Sequence, residues 1–347
     1  MTGATLVASA MAGQRRRERR RWRLLFGMTL FCCVTLVIDI GTGPSMLSPA
    51  QVLAALFRAE AADDMTLAIV NDLRLPMALM ALVVGCALGA GGAEIQTLLN
   101  NPMASPYTLG LAAAAGFGAA ISIFTGGFGL HPAVSVPLGA FVFAMLASAF
   151  LFLLAGFANI TSTMLVLAGI ALLFFFQSLL SLLQFIASPE VGQQILFWLF
   201  GSLTKTTWTN LWVTLGVTVF CITLLFRDAW KLTALRLGEA RAQSLGVDLT
   251  RLRLTTLVLT GLMTSTAISF VGIIGFVGLV APHVARLLAG EDQRFFLPLS
   301  MITGAAFLSM ASIISKVVIP GALFPVGIVT AMVGVPFFFW IMLARRR

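Results

Sequence analysis

Ten apolar runs set the terms for this chain. They cover residues 24–40, 76–99, 108–126, 133–156, 163–186, 208–226, 254–271, 275–289, 297–315 and 325–344. A helix needs roughly 20 apolar residues to cross a bilayer, and nine of the runs approach or exceed that length. The eighth is short and interrupted by Gly and Pro. Composition agrees: 59% of the 347 residues are hydrophobic and 10% are charged, against roughly 25% charged in a soluble domain. A cytoplasmic enzyme is excluded. So is an outer-membrane barrel, whose strands alternate apolar and polar. The expected fold is all-α, a polytopic membrane protein of about ten transmembrane helices.

Charge placement gives the orientation. Seven arginines lie between Arg15 and Arg23, six basic residues lie between Arg227 and Arg253, and Arg345–Arg347 close the chain. Such blocks flanking apolar runs mark cytoplasmic loops, so the net charge of +9 reads as topology and not as a nucleic-acid surface. Both termini are expected inside. The expected domains are a basic cytoplasmic segment 1–23, one transmembrane domain 24–344 and a short tail 345–347. An acidic outer loop spans 41–75 and a basic inner loop spans 227–253. The four cysteines show no CxxC spacing, and no zinc site or disulfide framework is suggested. No cleavable leader is expected, since the first apolar run ends in Asp39-Ile40-Gly41 without a small-residue cleavage site.

Two loops carry helix signals. Ser48-Pro49 before Ala50–Phe57 reads as a cap and first turn, and Gly238 to Leu245, closed by Gly246, reads as a short helix. The loops 98–109 and 287–297 echo one another, each following a Gly-rich run and preceding another. This suggests two related halves, as in many transporters.

Little in the chain can do chemistry. None of its three lysines sits in GxxxxGK[ST], so no P-loop is present. No nucleophile or metal-ligand constellation appears. Carboxylates and histidines in or near the spans reduce to Asp39, Glu94 and His283. Glu94 lies about 9 Å of helical rise from the 100–110 loop, where it suits either a satisfied structural carboxylate or a place in a pathway.

Four segments then stand together. One runs from Arg74-Leu75-Pro76 through Gly85, Gly89, Gly92 and Gln96 to Asn101-Pro102-Met103-Ala104-Ser105-Pro106-Tyr107-Thr108-Leu109-Gly110. The second is Leu237-Gly238-Glu239-Ala240-Arg241-Ala242-Gln243-Ser244-Leu245-Gly246-Val247. The third is Gly275-Phe276-Val277-Gly278-Leu279-Val280-Ala281-Pro282-His283-Val284-Ala285-Arg286, and the fourth Pro325-Val326-Gly327 with Gly334-Val335-Pro336. In order and spacing they resemble the FecCD-type permeases, membrane subunits of ABC importers for iron–siderophore complexes, haem and vitamin B12.

The resemblance implies a permease subunit that is not itself an enzyme. It binds no cofactor or metal, ATP and magnesium belonging to separate ATPases. The implied partners are a second permease subunit, two cytoplasmic ATPase subunits, a periplasmic or lipid-anchored binding protein and membrane lipid, at a bacterial or archaeal inner membrane. Gly238, Glu239, Ala240, Arg241, Ser244, Leu245 and Gly246 would form the coupling helix, where the residues alone suggest a solvated loop. Glu94, Gln96, Asn100, Asn101, Pro102, Thr161 and Ser162 would lie at the cytoplasmic gate, where the residues alone suggest helix capping for the Asn101-Pro102 loop and the Thr161-Ser162 turn. Arg58 and Lys316 would meet the binding protein. This chain departs from the common pattern at Leu323-Phe324, where many relatives carry an acid before Pro-Val-Gly. It departs again at Ser312-Ile313-Ile314-Ser315-Lys316, and at Gln293 in place of a frequent histidine. Ala93-Glu94-Ile95-Gln96 and Asn100-Asn101-Pro102 lean toward an iron(III)–siderophore cargo. Haem or vitamin B12 is the alternative within the family, and an ion-gradient-driven secondary transporter the alternative outside it.

Overall fold

The structure is a computed structural model describing residues 3–45, 47–57, 63–157, 161–319 and 323–344. Every regular element among them is helical. The chain opens with α1 (Gly3–Gly41) and the short α2 (Pro49–Leu56) and α3 (Asp64–Ala68). It continues through α4 (Leu75–Leu98), α5 (Leu111–Phe124), α6 (Pro132–Ala155), α7 (Ser162–Ile186), α8 (Pro189–Leu199) and α9 (Trp208–Arg227). Two short pieces follow, α10 (Ala229–Leu235) and α11 (Glu239–Ser244), before α12 (Leu249–Val271), α13 (Val277–Ala289), α14 (Gln293–Val317) and α15 (Val326–Ala344).

The ten apolar runs coincide with α1, α4, α5, α6, α7, α9, α12, α13, α14 and α15. Seven of the described helices are long and apolar enough to cross a membrane, and the stretches Leu111–Phe124, Val277–Ala289 and Val326–Trp340 are shorter apolar helices. The architecture is therefore that of a multi-pass helical membrane protein.

Sequence reading missed several features, α10 among them. α1 does not begin after the arginines; one unbroken helix carries them into the apolar run. The stretch between α7 and α9 holds α8, capped by Ser188, whose hydroxyl accepts from Val191 N at 3.4 Å. The outer loop is itself largely helical. α3, capped by Asp63, passes through a wide turn at Ile69–Arg74 into α4. Pro76 has no N–H to give to residue 72, and the chain widens where that bond is missing. The cap predicted at Ser48 is present and proves to be a full capping box: Ser48 Oγ accepts from Gln51 N, and the Gln51 side chain accepts from Ser48 N at 2.8 Å.

α4 is the axis of the bundle, buried along most of its length against α12, α13 and α14. Its small residues make that possible, because a stripe without side chains lets backbones touch. A Cβ at Gly85 would land on the Gly304 carbonyl of α14, and one at Gly92 on the Gly278 carbonyl of α13. Gly92→Val should therefore cost about 3 kcal/mol or more, since backbone cannot yield as a side chain does. Thermal unfolding and size-exclusion in detergent would report it. Gly27→Val, with nothing within 4 Å of its Cβ position, should leave both unchanged.

Candidate functional site

The end of the bundle that carries the α1 arginines also gathers the 99–110 loop, α10, α11 and the turn between α13 and α14. Two arginines bind these parts together. Arg236, just after α10, donates to Thr97 Oγ1 at 3.2 Å and to Asn100 Oδ1 at 3.4 Å, and pairs with Glu291 Oε1 at 3.5 Å. Arg286, near the end of α13, pairs with Glu291 at 3.0 Å and donates to Gln96 Oε1 at 2.9 Å. Gln293 opens α14 by donating to Thr97 Oγ1 at 2.8 Å, while its backbone N–H reaches Thr233 Oγ1 in α10 at 3.2 Å. Burial pushes the Arg236 guanidinium below its ordinary value, and Glu291 and Glu94 pull it back.

Glu94 lies fully buried beside this network, and neither carboxylate oxygen has a hydrogen-bond partner among the described residues. Gln96 is equally buried but well served, accepting from Arg286 and donating to the Gly278 carbonyl at 3.5 Å. Asn100 ends α4 in a left-handed conformation, φ 46°. Its N–H reaches Thr97 O and that of Asn101 reaches Gln96 O, at 3.2 and 3.1 Å. This is a Schellman closure, in which Asn tolerates the positive φ. Asn101 Oδ1 then accepts from Met103 N at 2.9 Å, folding the chain over half-buried Pro102. Thr161 caps α7 by accepting from Met164 N at 3.3 Å, with Ser162 as the first helical residue. No hydrogen bond joins these two to the arginine network among the described residues. Glu94, Gln96 and Asn100 are thus brought together; Thr161 and Ser162 stand apart.

The short helix predicted at Gly238–Leu245 is present as α11. Gly238, at φ 101°, makes the turn into it, and Gly246, at φ 82°, leaves it. Ala242 and Val247 are buried with Leu232 and Leu235 in a cluster reaching Leu98, Leu109 and Leu165. Glu239 pairs with Arg253 of α12 at 2.5 Å. The other side is open: Ala240, Arg241, Ser244 and Leu245 are exposed, as is Leu237. The segment is thus rooted on one side and presents Arg241, flanked by the exposed Leu237 and Leu245, on the other.

Lys316 corrects an expectation. It is not a surface charge but lies 5% exposed inside the bundle. Its Nζ donates to Asp39 Oδ1 at 2.7 Å and to Asp39 O at 2.9 Å, and Ser312 Oγ donates to the same Oδ1 at 2.9 Å. A lone charge in this setting is costly, so α14 turns its lysine to the acid of α1. It offers nothing to an external protein. Arg58, the other expected docking charge, lies outside the described residues. Sequence reading also overlooked Arg236, counting it only among the basic residues of a loop.

The class of protein is a multi-pass helical membrane domain whose loops are locked together at one end around a short, partly exposed helix. The chain belongs to the FecCD transport family, whose model matches residues 30–344. It is 34% identical over 337 residues to the vitamin B12 import system permease protein of Klebsiella pneumoniae, covering 97% of each chain. It is 33% identical over 320 residues to the molybdate import system permease protein of Haemophilus influenzae, covering 91% of this chain and 94% of that one. A solved structure described as a metal-chelate type ABC transporter, in an inward-facing conformation, superposes with a TM-score of 0.82 at 30% identity. The match covers 93% of this chain and 99% of that one. This is accordingly a permease subunit of an ABC importer, a family whose members are transport subunits and not themselves catalytic. Family membership sets aside the ion-gradient-driven alternative.

Proposed function

We propose that this chain forms one half of the path by which an iron(III)–siderophore complex crosses a bacterial or archaeal cytoplasmic membrane, driven by ATP. The observation that carries the reading is on α7. Gln177 and Ser181 are exposed there and Gln184 half-exposed, at i, i+4 and i+7 on one face of a helix of membrane-crossing length, with Ser178 alongside. Amides and hydroxyls turned to lipid would lose their hydrogen bonds to water. The face therefore suits a hydrated path shared with a second permease subunit, identical or paralogous. Its groups are neutral, with the exposed rings of Phe174 and Phe185 nearby. That lining fits a bulky metal chelate, whose iron stays with its own ligands. Among the described residues no three His, Cys, Asp or Glu side chains gather to strip a metal from its carrier.

In this reading two cytoplasmic ATPases dock on α11, the 99–110 loop is the inner gate, and a periplasmic or lipid-anchored binding protein delivers the cargo. Vitamin B12 or haem is the second reading, favoured by the similarity to the vitamin B12 permease. Proteoliposomes holding the permease, its ATPase and its binding protein should accumulate radiolabelled ferric siderophore only with ATP. Uptake driven by a proton gradient alone, or accumulation of cobalamin in preference to the iron chelate, would sink the proposal. Joint substitution of Ser181→Leu and Gln184→Leu should lower uptake by about tenfold, by closing the path to a polar cargo, while ATPase co-purification is unchanged.

A further inference from the structure

The arginine-bearing turns of α1 are not an appendage to the membrane helix but its continuation, and one stripe runs through both. Arg15, Arg19 and Arg23 are spaced by four residues, and Phe26, Leu30, Val34 and Val37 carry the row onward at three- and four-residue steps. Residues at such steps share one face of a helix. All seven are exposed, Phe26 at 73% and Val37 at 67%. Arg16 and Arg20, also exposed, lie beside the basic part of the stripe.

The turn that carries Arg21 and Trp22 is fixed to the protein. Arg21 pairs with Asp292 at 3.3 Å and lies over the Phe295 ring at 5.2 Å, while Trp22 meets the same ring edge-on at 5.7 Å. Hydrogen bonds from Arg294 hold the Asp292 carboxyl below its usual range, and Arg21 adds to the effect. The clamp therefore sets the rotation of α1 and turns Arg15, Arg16, Arg19, Arg20 and Arg23 away from the bundle. None of these five has an ion-pair partner among the described residues.

From this continuity we infer that the five arginines form a binding surface for anionic phospholipid headgroups, above acyl chains that lie along Phe26, Leu30, Val34 and Val37. The dimensions suit it. Arg15 is about 13 Å of helical rise from Leu24, and the headgroup layer is roughly 5–8 Å deep. Arg19 and Arg23 fall within that layer, and Arg15 within about one Debye length of its edge. Phosphate supplies the bidentate acceptor that guanidinium prefers, and exposed Trp22 sits at the level of the interface.

The test uses the full chain in nanodiscs of phosphatidylcholine containing a minor fraction of phosphatidylglycerol, with either lipid spin-labelled. The protein-restricted lipid should be enriched in phosphatidylglycerol by about fivefold over bulk, consistent with a polybasic juxtamembrane segment. The enrichment should fall toward unity in 1 M salt, where screening shortens to about 3 Å. Replacing all five arginines by glutamine should remove it and replacing them by lysine should retain most of it. The salt titration needs no variant, so a glutamine chain that fails to fold leaves the idea open to refutation. No enrichment in the parent chain, or enrichment indifferent to salt, overturns the inference. So does a glutamine chain that keeps its lipid preference but loses an ATPase partner, which would assign the stripe to protein docking.

Discussion

Lys316→Met should destabilise the protein by about 3–5 kcal/mol, while the pair Asp39→Asn with Lys316→Met should recover most of the loss. Removing one member of a buried ion pair leaves the other charge without compensation, whereas replacing both removes the problem. Asp39 is 0% exposed, and its second oxygen already lacks a hydrogen-bond partner among the described residues. The carboxylate thus depends on Lys316 and Ser312. Denaturant or thermal unfolding in detergent would measure both variants. A single variant as stable as the parent, or a double variant no better than the single, would mean that the pair does not hold α1 to α14. Binding-protein affinity should follow folded yield and show no separate effect of the lysine charge.

Replacing Glu239, Ala240, Arg241, Gln243 and Ser244 by Gly and Ser, with Ala242 kept, should abolish ATPase co-purification and ATP-driven uptake. A loss of about 100-fold or more in affinity is expected, because a projecting element with a few anchor residues concentrates binding energy. The fold should survive, since Ala242 and Val247 provide the buried contacts of this segment. The Glu239–Arg253 pair would go, but a half-exposed ion pair contributes little. Leu245→Asp is the sharper variant, placing a charge on an exposed apolar anchor. Intact co-purification in both would refute docking at α11.

The helices were legible because burial in lipid leaves a long, unmistakable apolar signature. Ten runs and ten helices coincide even at α13, where Gly and Pro blur the run. Caps were legible where a side chain of the right type stood before the run, as at Ser48 and Thr161. The polar contacts were not. Arg236 meets Thr97 and Asn100 across more than a hundred residues of chain, and no local pattern marks such a pairing. The error at Lys316 is more instructive. Its partner is 277 residues away, yet a signal was present: an acid in one apolar run and a base in another, each otherwise poor in charge. Two such residues have strong reason to find each other. α8 and α10 were missed because helices of 11 and 7 residues do not stand out beside the long apolar runs they connect.

The grip of Arg236 has a mechanical consequence. A hydrogen bond has a short reach, with little left beyond about 3.5 Å, and the Arg236 contacts to Asn100 and Glu291 already lie at 3.4 and 3.5 Å. Arg236 reaches both Asn100 and Glu291, on the two loops whose sequences echo one another. A shift of α10 by about an ångström therefore cannot be absorbed as slack. It must carry both loops along or release them together, and packed bundles answer such demands by jumping between discrete arrangements. A displacement at this end of the molecule is thereby expected to reach the ends of α4 and α13 together.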